Sequence, residues 1–165
     1  MPSAFSRPKE EYGGTFEADL LAQYALFVET EERLVDRRQQ ENRFFLSVSA
    51  LIVTGLSVLL EQGISDKQAS LGIILLAGAG LGLCFAWYSI IGSYSDLNSA
   101  KFEVIAELET KLPLRMFEAE WEAAQRRDYK PFTVIEKHVP FIFGLLHAIG
   151  VVVGVLGLLG VLHSS

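Results

Sequence analysis

The sequence predicts an all-α integral membrane protein with three transmembrane helices and long cytoplasmic helical extensions that form a bundle. Two observations lead there. The chain has 165 residues, 50% hydrophobic by type, with a mean hydropathy of +0.32. Its apolar residues are also segregated into three blocks: uncharged runs from Phe44 to Leu60 and from Leu71 to Gly92, and a run from Pro140 to Leu162 in which His147 is the only ionisable group. A bilayer core of about 30 Å needs roughly 20 helical residues. The second and third blocks meet that length, and Phe44, Phe45 and Gln62–Gly63 complete the first. Three such runs leave too little polar chain to cover them in a soluble domain.

The elements follow in order. Residues 1–14 read as a flexible N-terminus and 15–42 as a cytoplasmic helix. There Leu20, Tyr24, Phe27 and Leu34 recur at helical spacing among charged residues. Gly13–Gly14 breaks the chain ahead of this helix and Thr15 is its candidate N-cap. No breaker separates it from the first span, 43–61, so one helix is expected from about Thr15 to about Leu60. A loop at 62–70 and a second span at 71–92 follow. Leu97, Lys101, Val104, Ile105 and Leu108 then keep the period beyond the span, and Pro113 ends it. Within the segment 93–139, Leu114–Arg127 reads as a short amphipathic helix, Tyr129–Lys130–Pro131 as a turn and Phe132–His138 as a last amphipathic stretch. Pro140 opens the third span, 140–162, and 163–165 form a tail.

Charge sets the orientation. Six Lys or Arg lie at or before Arg43, one (Lys67) lies between the first two spans, seven lie between the second and third, and none follows Leu162. Positive charge marks the cytoplasmic side, so the N-terminus is inside and the C-terminus outside. Trp87, Tyr88 and Tyr94 fall where an aromatic belt is expected. The first block begins too late, without a basic n-region, for a cleaved signal peptide. The net charge of −6 argues against nucleic acid, which requires a basic face.

Small residues concentrate in the spans. Gly78 and Gly82 in the second, and Gly150 and Gly154 in the third, are GxxxG pairs that permit close backbone approach in lipid. Three helices offer few internal contacts, so these faces point to contacts between subunits; packing within one subunit, or the general enrichment of Gly in membrane helices, is the alternative. In the segment after the second span, Leu97, Asn98, Lys101 and Phe102 are candidate interface residues. Asn98 and Lys101 read as an interface pair, with Lys101 a candidate partner of Glu120 or Glu136 across subunits, or as residues that bind a ligand or a partner; Trp121 reads as a packing anchor. His147 is costly inside a bilayer; it reads as a packing residue bonded to Thr54 or Ser57, or as a pH-sensing or pore-lining group with Ser47 and Thr54. No metal-ligand spacing links His138, His147 and His163. There is no phosphate-binding Gly-rich loop and no GxSxG. The lone Cys84 reads as inert packing. No cofactor and no enzymatic activity are expected.

The run Leu97-Asn98-Ser99-Ala100-Lys101-Phe102 through Val104-Ile105, then Leu112-Pro113, Glu120-Trp121, and Thr133 with Ile135-Glu136 before Pro140, resembles the RipA family of bacterial octameric membrane proteins. The resemblance covers roughly Arg43 to Phe143. It implies a small inner-membrane protein that assembles as a homo-octamer in contact with lipid, and it supplies no reaction. A scaffold or regulator that engages a cytoplasmic protein partner through its helical bundle is the expected role. A gated pore or ion channel on the ring axis is the alternative.

Overall fold

The computed structural model describes residues 4–64, 66–127, 129 and 132–161. The predicted turn residues Lys130 and Pro131, the end of the third span at Leu162, and the tail with His163 lie outside the described residues. Within them the chain is helical, with no strand: α1 (Lys9–Tyr12), α2 (Phe16–Glu61), α3 (Lys67–Glu109), α4 (Met116–Gln125), α5 (Phe132–Glu136) and α6 (His138–Leu158). Three stretches are long and apolar enough to cross a bilayer: α2, α3, and α5 with α6 taken together, Phe132–Leu158. The protein is an all-α integral membrane protein.

Local chemistry accounts for the boundaries. The Thr15 carbonyl accepts from Asp19 N at 2.9 Å, so α2 begins as its Gly-Gly breaker predicts. The helix runs unbroken for 46 residues, about 69 Å at 1.5 Å per residue. It stops before Gly63, whose φ of +100° suits a residue without Cβ. The N-terminal stretch expected to be flexible carries the short α1, and Ala4 N donates to Glu107 Oε2 at 2.9 Å. Helix α6 begins at His138, two residues before Pro140. A proline in the first turn of a helix sacrifices only an N–H that has no helical partner.

The chain divides into two compact units. Unit 1 comprises Met1–Arg38 and Ser93–Pro131; unit 2 comprises Gln39–Gly92 and Phe132–Ser165.

Unit 1 joins the first part of α2, the last part of α3, and α4. Its buried apolar residues are Leu20, Tyr24 and Ile105. Phe102 packs edge-on against Phe117, with ring centroids 5.7 Å apart. Trp121, the predicted anchor, is half exposed at 50%. Phe117 takes that place.

Unit 2 is layered. Phe45, Trp87 and Ile91 form one apolar cluster with Leu83, Ile90, Val139 and Phe143 around it. Leu56, Ile73 and Ala77 form another with Ile52, Leu59, Leu76 and Val151. The helical register places Ser49, Gly80 and His147 on the turn between the two clusters, and all three are buried. Trp87 does not join an outward aromatic belt. It is 3% exposed and stacks on Phe45 at 5.7 Å and 7°, which places its ring in the core. Tyr88 does lie on the outside, with Lys137 Nζ 5.3 Å from its ring centre.

Candidate functional site

The glycines of unit 2 separate into two sets with opposite roles. A Cβ on Gly150 would stand 3.1 Å from the Ala77 Cβ. One on Gly154 would stand 2.8 Å from Ile74 Cγ1 and 3.0 Å from the Ser70 carbonyl oxygen. One on Gly80 would stand 2.7 Å from the His147 ring. These glycines are consumed by close packing of α3 on α6 within one subunit. That corrects the expectation for Gly150 and Gly154, whose small face is already covered by this chain. Gly78 and Gly82, in contrast, have nothing within 4 Å of a Cβ position and lie on the outer surface of α3.

The outer surface of α2 carries a second small face. Arg43, Ser47, Ala50, Thr54, Ser57 and Glu61 recur at alternating steps of four and three, and all are exposed. Their spacing places them on one side of the helix. Ser47 Oγ donates to the Arg43 carbonyl at 2.8 Å, Thr54 Oγ1 to the Ala50 carbonyl at 2.9 Å, and Ser57 Oγ to the Val53 carbonyl at 3.0 Å. Thr54 and Ser57 therefore satisfy themselves on their own helix and are not the partners predicted for His147. His147 is fully buried, and neither ring nitrogen has a hydrogen-bond partner. Its place inside the subunit removes it from any outer face that a ring axis could use, which corrects its reading as a pore-lining residue.

A polar relay crosses three elements of unit 2. Trp87 Nε1 donates to Asn42 Oδ1 at 2.8 Å, and Asn42 Nδ2 donates to Glu136 Oε1 at 2.9 Å. Glu136, a predicted interface residue, is 7% exposed and acts inside its own subunit. Asn42 was not singled out by sequence, although it is next to last among the polar residues before the first apolar block. Asn42→Leu removes an acceptor and a donor at once. The buried Trp87 N–H left without its acceptor costs about 1–3 kcal/mol, so a loss of about 2 kcal/mol is expected, read from thermal exposure of the buried Cys84 to a thiol-reactive dye.

In unit 1, Lys101 Nζ donates to Thr30 Oγ1 at 2.6 Å and sits 4.6 Å from the centre of the Phe27 ring. Both contacts are within its own chain. Burial pushes the nearby Glu31 carboxyl above the usual range, and the positive charges of Lys101 and Arg38 oppose that shift. Leu97 lies exposed and Asn98 half-buried on the same helix.

Glu109 is a second residue that the sequence did not single out. It is 1% exposed. Its Oε1 accepts from Tyr24 Oη at 3.0 Å and from Phe117 N at 3.1 Å, and its Oε2 lies 3.5 Å from Glu118 N. A carboxylate from α3 thus caps the first turn of α4, where unpaired N–H groups and the helix dipole favour negative charge. The visible signal was its position one turn after Ile105 on the apolar stripe. Burial, then the Glu109 hydrogen bond, push the Tyr24 hydroxyl up to about 12. A raised folded-state value favours the protonated form. Its contribution is therefore complete below about pH 10 and lost as pH rises toward 12. Alkaline titration followed by tyrosinate absorbance should show one late-ionising tyrosine that disappears in Tyr24→Phe.

An open groove of about 530 Å³ lies on unit 1 between α2 and α4. Leu21, Tyr24, Ala25, Val28, Met116 and Phe117 make its apolar lining, and Glu29, Glu32 and Glu120 are its charged residues. No group of three or more His, Cys, Asp or Glu among the described residues has the geometry to hold a metal ion.

The model of the octameric membrane protein family, 8xMP, matches residues 21–156. The chain belongs to the octameric membrane protein family. The match reaches into all three candidate spans and takes in most of unit 1. No curated protein and no solved structure matches the chain.

Proposed function

We propose that this chain is one subunit of a homo-octameric ring in a bacterial inner membrane, a non-enzymatic scaffold or regulator acting through its helical bundle. The observation that carries the reading is the pair of open small faces on unit 2: Gly78 with Gly82 on α3, and the Ser47–Ala50–Thr54–Ser57 stripe on α2. A closed ring of more than two subunits needs two different patches on each subunit, one for each neighbour. In lipid, small residues let helices from adjacent subunits approach. The family description supports eight as the number. The distribution of Lys and Arg supports an N-terminus and bundle in the cytoplasm and a periplasmic C-terminus. The subunit's partners are its own copies, membrane lipid and a cytoplasmic protein; the net charge of −6 opposes nucleic acid.

Bulk placed on the open face tests this reading. The double variant Gly78→Leu/Gly82→Leu should break the ring into smaller species by native mass spectrometry while leaving Cys84 as protected as in the parent. An intact octamer in that variant would remove α3 from the interface.

The polar stripe on α2 favours a second reading, a gated pore. Arg43 and Glu61 bracket the hydroxyls of Ser47, Thr54 and Ser57 along one exposed face. On a ring axis that face would be a hydrophilic wall. Potassium or proton leak from liposomes containing the protein, abolished by Ser47→Leu/Thr54→Leu, is the result this reading requires. A pH-sensing role for His147 belongs here as well. Protonation would place an unpartnered charge against Gly80 and push α3 from α6. A leak activated by acid should then lose that dependence in His147→Phe.

A further inference from the structure

We infer that the groove between α2 and α4 of unit 1 docks a basic amphipathic helix of a second protein. Leu21, Ala25 and Val28 stand at steps of four and three along α2, so their side chains form one apolar line. Leu21 and Met116 are 57% and 54% exposed, large apolar surfaces left open in the unit outside the membrane-spanning segments. The span from Leu21 to Glu32 is about 16 Å at 1.5 Å per residue, the length of three helical turns. An occupant with apolar side chains at helical spacing fits such a floor.

Charge selects the occupant. The lining holds three carboxylates and no cation. Glu29 is engaged by Arg33 at 2.6 Å, whereas the exposed Glu32 and Glu120 carboxylates make no side-chain hydrogen bond or ion pair among the described residues. Lys or Arg on the edges of the bound helix would pair with them and exclude acidic competitors. The same rim repels anionic lipid and nucleic acid, which makes a protein segment the fitting partner. This inference rests on the scaffold reading, and it supplies the chemistry of what the scaffold recruits.

The test uses the full chain in nanodiscs of zwitterionic lipid. The probe is a fluorescein-labelled synthetic peptide of about fourteen residues, built from Leu and Lys as an amphipathic helix, with a Leu/Glu peptide as control. Anisotropy titration should show binding of the Leu/Lys peptide above the background of protein-free discs. Affinity should fall at least about tenfold in Glu32→Lys/Glu120→Lys and in Leu21→Ser, all on exposed side chains, and should weaken with salt. Equal binding by parent and charge-reversed protein, binding no greater than to protein-free discs, or equal binding of the Leu/Glu peptide would each overturn the inference. So would a photo-crosslinker at Met116 that yields only a product of twice the chain mass in cells, because a second copy would then fill the groove. The mass of the assembly, measured on the same samples, keeps the two readings apart. An octamer that ignores the peptide removes the groove inference alone, whereas a monomer removes the proposed ring.

Discussion

Gly154→Leu should destabilise the membrane unit by about 3 kcal/mol, the upper part of the usual range for an overfilled interior. The first added atom would already stand 3.0 Å from the Ser70 carbonyl oxygen. That oxygen belongs to the backbone of α3, so relief requires α6 to move rather than a side chain to turn. The loss should appear as a lower temperature for Cys84 labelling in detergent, with the oligomer and the monomer equally affected. Gly82→Leu provides the comparison. Nothing lies within 4 Å of its Cβ position, so the subunit should keep its labelling temperature and change only its assembly. A Gly154→Leu protein as stable as the parent would mean that α3 and α6 do not pack as closely as described.

Glu109→Ala should cost unit 1 about 4 kcal/mol. The carboxylate serves the Tyr24 hydroxyl and the first turn of α4 together, and hydrogen bonds to a charged group contribute about 1.5–3 kcal/mol each. An exposed helix cap alone is worth about 1 kcal/mol. The expected signature is fast amide hydrogen exchange throughout Met116–Gln125 with unit 2 still protected. Glu109→Gln keeps an acceptor oxygen and should recover about half of the loss. Full protection of α4 in Glu109→Ala would show that Phe117 packing holds that helix without its cap.

These two residues show what the sequence disclosed and what it withheld. The spans were legible because lipid admits only long apolar helices with satisfied backbones, and the three blocks stand apart from the polar chain. The long continuous helix was legible because nothing breaks it between Thr15 and Gly63. The glycine pattern was visible, but its direction was not. Gly150–Gly154 and Gly78–Gly82 are the same motif, and only the helix register about α3 tells which pair α6 covers. The same limit applies to Trp87 and Trp121. Sequence marked the first for the membrane surface and the second for the core of the bundle, whereas the fold buries Trp87 and leaves Trp121 half exposed. The groove escaped notice because Glu32 and Glu120 are distant in sequence, and exposed carboxylates on helices are usually only solvated surface. Glu109 looked like one more charge on a charged segment until Tyr24 and the start of α4 came together around it.

In the proposed assembly, copies of this chain close into a ring through the outer faces of α2 and α3. Single-particle imaging of the protein in lipid nanodiscs would resolve both the subunit count and the faces that meet. Eight subunits are expected, with Gly78 and Gly82 of each against a neighbouring subunit and Gly154 against its own α3. A monomer, or a ring whose subunits meet through α6 with both small faces left to lipid, would contradict this assembly.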